Sequence, residues 1–313
     1  MVYTQHHHSA NRIVTKGSGV QFRFLLLLAM VAAQAAICPP ICAQQKKLEP
    51  LVPREKHPWG KFPVGAWKRM RVTKETFDER GVPTATIYDI KTTVKFVDAS
   101  GYTLATEQTV EIAGQIFPQL KQEITQGFSG ESRGQKVESV DKIGEREVEL
   151  NGRRIPCEVR KAVMNGDGTT RTTATAYYSA DVAPHLLRRE LTTAAPAAGE
   201  ATSTIEEVIA LGMPYEFLGQ RRAASFVRTV QKQPKQSKEA MEVWCDDVPG
   251  GVVAQWSKEL DAEGKLISRI TLELVGYDSG RAGAAAPAPR ARLFDRKRAR
   301  RADEKMGTMQ RRE

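Results

Sequence analysis

The stretches "YYSADVAPHLLRRE" (Tyr177 to Glu190) and "VWCDDVPGGVVAQW" (Val243 to Trp256) carry one pattern twice, 66 residues apart. Tyr178 stands over Trp244, and in both a small residue, any residue, Asp, Val and any residue follow. Two apolar residues then resume the chain, Leu186-Leu187 in one copy and Val252-Val253 in the other. The likeness spreads outward. "LNGRRIPCEVRKAV" (Leu150 to Val163) resembles "LGQRRAASFVRTV" (Leu218 to Val230), and "STIEEVIALG" (Ser203 to Gly212) lies over "RITLELVGYD" (Arg269 to Asp278) without a gap. Turn residues separate these runs: "NGDG" and "APAAGE" in the first copy, "KQPKQ" and "DAEGK" in the second. Asn-Gly supplies the positive φ angles that a tight hairpin needs. Each copy therefore reads as a four-stranded meander of about 66 residues.

The shared Asp-Val step falls between two strands in both copies, which makes it a corner. Asp181 and Asp247 are placed to accept backbone N–H groups there, while Pro184, Pro249, Gly250 and Gly251 set the path. A duplicated active site would keep its reactive groups. Here Ser179 is answered by Cys245, Ala180 by Asp246 and His185 by Gly251. What persists is turn chemistry and apolar strand, so the duplication is architectural.

Upstream the dominant signal is alternation. In "IYDIKTTVKF", Ile90, Val94 and Phe96 lie opposite Asp89, Lys91, Thr93 and Lys95, and "YTLATEQTVEI" repeats the pattern. Period-two patterning marks strands with one buried and one wet face. "DASG" (Asp98 to Gly101) joins the two as a hairpin, and "AWKRMRVTKETF" supplies an earlier strand. "FPQLKQEITQGF" (Phe117 to Phe128) reads instead as a short amphipathic helix. About eleven strands result. A unit of 66 residues buries only about 60% of its unfolded surface, so both copies and the N-terminal hairpins are expected to share one core. The fold class is mainly β: an antiparallel meander sheet, curled into a half-barrel or incomplete barrel.

The ends differ from this body. Arg12, Lys16 and Arg23 lead into the apolar run "FLLLLAMVAAQAAI" (Phe24 to Ile37), and small residues follow up to Ala43. This is the pattern of a secretory signal, and the run is shorter than the roughly 20 residues a bilayer requires. The last 35 residues, from Ser279, hold eleven Arg or Lys against four Asp or Glu. With +7 in this tail and +3 in the leader, the whole +10 of the chain belongs to its ends. The body is electrically neutral and has no footprint for nucleic acid. The expected organisation is a signal peptide over 1–43, an N-terminal linker over 44–63 and a β-rich domain over 64–278. That domain divides into hairpins over 64–144, one repeat over 147–212 and a second over 215–278. A disordered basic tail over 279–313 completes it, suited to an anionic surface or an acidic partner. The chain is expected in the periplasm or outside the cell.

Chemistry is sparse. Beyond the leader there are two histidines, His57 and His185, and two cysteines, Cys157 and Cys245, open to pairing as a disulfide or to burial as free thiols. No ligand spacing for zinc or calcium is present, nor a nucleophile motif or phosphate loop, so neither catalytic residues nor a cofactor is expected. The aromatic residues Trp67, Trp244, Trp256 and Tyr178 are the candidate ligand-binding set, positioned to line a concave apolar face.

The run "GAWKRMRVTKETFDERG…YDIKTTVKFVDASGYTLATEQTVEIAG…IPCEVRK…YYSADVAPHLLRRE" resembles an uncharacterised family of exported bacterial β-rich proteins, over most of residues 64 to 212. The last hairpin, "WCDDVPGGVVAQWSKELDAEGKLISRITLELVGYD", is similar over some 35 residues to half-barrel periplasmic lipoprotein carriers. That resemblance implies an incomplete barrel whose concave side holds an acyl chain. The expectation is an exported, non-enzymatic binding protein for an apolar or lipid-like ligand. The alternative is a scaffold that meets protein partners through its sheet edges and basic tail.

Overall fold

A computed structural model describes residues 48–280, apart from 113–114, 133, 167–169 and 196–199. The expected signal peptide, with Cys38 and Cys42, and nearly all of the basic tail lie outside these residues. Among these residues thirteen strands form one sheet. They are β1 (Trp67–Phe77), β2 (Pro83–Val97), β3 (Gly101–Ile112), β4 (Gln115–Gly127), β5 (Lys136–Leu150), β6 (Arg153–Asn165) and β7 (Arg171–Tyr178). There follow β8 (Leu186–Ala195), β9 (Glu200–Phe217), β10 (Gln220–Gln233), β11 (Gln236–Trp244), β12 (Val252–Asp261) and β13 (Leu266–Asp278). The only helical turn among the described residues is a 3-10 turn at Arg54–Lys56. The segment expected as a helix is strand β4, and Lys136–Leu150, not counted from the sequence, is β5, so thirteen strands stand where about eleven are expected.

The order across the sheet is β4-β3-β2-β1-β13-β12-β11-β10-β9-β8-β7-β6-β5, all antiparallel. Every neighbour follows from a hairpin except one: β13 returns to pair with β1. The two edges, β4 and β5, are therefore consecutive in the chain, joined by residues 128–135. Such a link reaches about 30 Å, whereas thirteen flat strands at about 4.8 Å spacing would span nearly 60 Å. The sheet must bend back on itself. It stays open, since β4 and β5 do not pair.

What the sheet wraps is its own N-terminal segment. Leu51 clusters with Ala162 and Met164 of β6 and with Ala174 and Ala176 of β7. Phe62 and Ala66 cluster with Val94 of β2, Tyr102 and Leu104 of β3, and Phe128. These strands lie towards opposite ends of the sheet order, so the segment is the core that both halves close upon. Residues 48–63 are thus not a linker: Leu51, Val52 and Phe62 are between 1% and 3% exposed. Polar contacts fix the segment too. The Leu51 N–H donates to Ser129 Oγ at 3.2 Å, and Arg160 Nη1 donates to the Pro50 and Leu51 carbonyls at 2.9 and 3.3 Å.

Directly paired residues share a face. One row can be followed round the sheet, from Val72 to Leu272, Gln255, Glu242, Val227 and Val208. A second joins Glu206, Arg189, Ala176 and Arg160. The face turned towards the segment therefore mixes apolar residues with charge.

The two corners are built alike. In the β7–β8 connection the Ser179 N–H donates to the His185 carbonyl at 2.8 Å. In the β11–β12 connection the Cys245 N–H donates to the Gly251 carbonyl at the same distance. A bulge precedes each, at Tyr177/Tyr178 and at Val243/Trp244. The corner carboxylates do not hold the turns as expected: the Asp247 carboxylate takes a bond from Arg222 Nη1 at 2.9 Å instead. Cys157 and Cys245 are free thiols, both buried.

Candidate functional site

Both corners, the N-terminal segment and the loop after β4 meet around a cavity of about 370 Å³. The segment contributes His57, Trp59 and Lys61. The far side comes from Tyr102, Gln126 and Phe128; the corners bring Pro184, His185, Trp244 and Asp246; strands add Arg189, Glu206 and Val227. The two histidines of the described chain thus share one cavity, although 128 residues separate them in sequence.

Their hydrogen bonds fix opposite tautomers. His57 Nδ1 accepts from the backbone N–H groups of Trp59 and Gly60, each at 3.2 Å. In the neutral ring the proton must then sit on Nε2, which becomes a donor. His185 Nδ1 lies 2.9 Å from the Ser179 carbonyl, an acceptor only, so Nδ1 carries the proton and Nε2 keeps a bare lone pair. His57 is held neutral: burial, then the positive charges of Arg189 and Lys61, push its pKa down to about 3. Burial also lowers that of His185, against the pull of its bond to Ser179.

Of the three cations that line the cavity, Lys56, Lys61 and Arg189, the last two are matched within the protein. Arg189 grips Glu206 through Nε at 2.7 Å and Nη2 at 2.6 Å, and Lys61 is paired with Asp246. Tyr102 donates to Gln126 Oε1 at 2.7 Å, and burial, foremost, raises its phenol to about 12. His57 lies between the Tyr102 and Phe128 rings, with centroids at 4.9 and 5.1 Å. Behind the wall, Trp244 Nε1 donates to Glu242 at 2.7 Å. Lys68, buried beside the Trp59 ring at 5.3 Å, donates to the Val252 carbonyl at 3.2 Å. Burial lowers the Lys68 amine to about 8 and raises the Glu242 carboxyl.

The structure separates the four aromatics picked from sequence. Trp244 lines the cavity. Tyr178 is buried beside it, with the Arg160 guanidinium 4.6 Å from its ring and the His185 ring 6.2 Å away. Trp67 lies elsewhere, under Lys91 Nζ at 5.0 Å, and Trp256 is 43% exposed on β12. Trp59, Tyr102 and Arg189 belong to the cavity and stand outside that aromatic set; His57 joins them, noted from sequence only as one of two histidines. The nearest signal was the short "KHPWGK" run, which places a histidine, a tryptophan and two lysines together.

Among the described residues no three His, Cys, Asp or Glu gather as a metal site, and no helix is long and apolar enough to cross a membrane. His57 is also a poor ligand by its own bonding, since Nδ1 already accepts and Nε2 must keep its proton. No serine hydroxyl or cysteine thiol among these residues is bonded to a histidine, the pairing that activates a nucleophile.

No protein-family model matches the chain, and no curated protein does. Among solved structures, a Bacteroides fragilis protein of YmcC-like fold, provisionally classed as exported, is similar at 12% identity with a TM-score of 0.29. The match covers 68% of this chain and 96% of that one. A likeness at that level is too slight to define fold or activity here.

Proposed function

We propose that this is an exported, non-enzymatic binding protein that holds a small ligand in the cavity between its N-terminal segment and its two corners. One observation carries the reading: four aromatic residues and several convergent polar groups from distant parts of the chain enclose about 370 Å³. Pockets for small molecules have this size and make-up, apolar walls with a few placed polar groups. Export rests on the basic, apolar leader of the sequence. The acyl-chain reading is less well supported, because the protein's own residues 48–66 occupy the space within the curved sheet.

Native mass spectrometry of the full chain purified from bacterial envelope tests this. A small-molecule adduct lost on unfolding is the expected result. A bare mass, with nothing released into the denatured extract, counts against a tight ligand. In that case the adaptor reading gains, since edge strand β4 exposes Phe117 and Leu120 beside an unpaired backbone.

A further inference from the structure

We infer that the cavity selects an uncharged, hydroxyl-bearing small molecule with one flat apolar face; this rests on reading the cavity as a binding site. Charge balance is the first ground. Arg189 is taken up by Glu206, and Lys61 by Asp246; Lys56, the remaining cation of the lining, is exposed to solvent. An anion seated inside the cavity, away from exposed Lys56, would have to break one of these pairs and leave a carboxylate without its cation.

The second ground weighs against the opposite class. An acyl chain entering the cavity would strip water from His57 Nε2–H and from the bare Nε2 of His185 and return no hydrogen bond. Both groups would then stay buried without a partner, which an apolar ligand has no means to offset locally. A hydroxyl suits both groups, since one O–H accepts from His57 and another donates to His185. Gln126 adds an amide, its Oε1 already engaged by Tyr102.

The walls supply the third ground. Gly250 and Gly251 allow the indoles of Trp59 and Trp244 to lie against the corner backbone, where a side chain on either glycine would collide with the ring. Flat aromatic faces bind the C–H face of a ring through dispersion and water release, while hydroxyls at the ring's edge reach the polar groups. Pyranosides and cyclitols have this shape and chemistry.

The chain has four tryptophans, and only two of them, Trp59 and Trp244, line the cavity. Four indole N–H signals from the 15N-tryptophan-labelled full chain therefore report both binding and its location. Methyl hexopyranosides and myo-inositol, glucuronate and glucose 6-phosphate, and myristate are titrated separately. The expected result is that a neutral probe shifts Trp59 and Trp244, leaves Trp67 and Trp256 in place, and binds best of the three groups. His185→Phe and Gln126→Leu, each retaining the wild-type melting temperature within a few degrees, should weaken that probe about fivefold or more. Tighter binding of an anionic probe or of myristate at the same two signals would overturn the ligand class and leave the binding reading intact. Silence at Trp59 and Trp244 with every probe would overturn both.

Discussion

Gly250 lies against the indole of Trp59 so closely that a Cβ on it would stand under 3.0 Å from three ring atoms, and its φ is +71°. At neighbouring Gly251, φ +72°, a Cβ would likewise stand under 3.0 Å from two ring atoms of Trp244. The "PGG" of the second corner is thus a double requirement, for left-handed backbone and for absent side chains. Gly250→Ala should lose about 2–4 kcal/mol, from overpacking and backbone strain together. Gly264, at φ +83° with nothing within 4 Å of its missing Cβ, isolates the backbone part. Gly264→Ala should cost only about 1 kcal/mol. Urea titrations of both variants decide the matter, and equal losses would show that the ring contact carries no weight.

The N-terminal half of the sheet was legible as strand because "IYDIKTTVKF" alternates, and β2 contains it. A bulge between Val94 and Phe96 nevertheless leaves Phe96 55% exposed, where the alternation buries it beside Val94. The corners were legible because Asp, Val and Pro recur in both, with two glycines added in the second. Strand β4 was misread because Phe117, Leu120 and Ile124 fall at helical spacing. As an edge strand paired only to β3, it leaves Phe117 and Leu120 exposed and has no second neighbour to enforce alternation. Pro118 is tolerated there because an edge strand can lack an N–H on its free side. The cavity was hardly legible at all. His57, Tyr102, His185 and Trp244 are brought together by the bend of the whole sheet, and no local spacing records that bend.

Acid should expose the burial of His57. Its pKa is about 3 in the folded chain, against an ordinary 6.5. Below 6.5 the unfolded chain takes up a proton that the folded chain refuses, so stability falls as pH drops from 6.5 towards 3. By pH 4.5 the loss from this group alone is on the order of 2 kcal/mol. Carboxylates contribute their own acid dependence, so the informative quantity is the difference from His57→Gln. Denaturant midpoints at pH 7, 5.5 and 4.5 should fall less steeply in the variant; parallel curves would mean that His57 accepts its proton freely in the fold.

Lys68 gives the opposite end of the pH scale. Its amine titrates at about 8 in the folded chain and at 10.5 when exposed. Between these values the folded chain has released a proton that the unfolded chain keeps, so stability rises with pH across that window. The penalty carried at neutral pH is about 3 kcal/mol. Lys68→Met should remove the rise between pH 8 and 10 and leave the protein at least as stable at pH 7, with buried Glu242 taking up a proton once its cation is gone. A variant that keeps the wild-type slope would place Lys68 in contact with water.

The N-terminal segment yields the sharpest structural prediction, because two leucines three residues apart differ so much in environment. Leu48 is 40% exposed, whereas Leu51 is 1% exposed and packs on Ala162, Met164, Ala174 and Ala176. Truncating a buried leucine costs about 2–5 kcal/mol, while an exposed one costs a few tenths. Leu51→Ala should therefore lower the melting temperature by roughly 5–15 °C in a domain of this size, and Leu48→Ala by about a degree. Both substitutions leave the strands and their hydrogen bonds untouched. If Leu51→Ala melts like Leu48→Ala, the segment is not the core around which β2, β3, β6 and β7 close, and the cavity loses one of its walls.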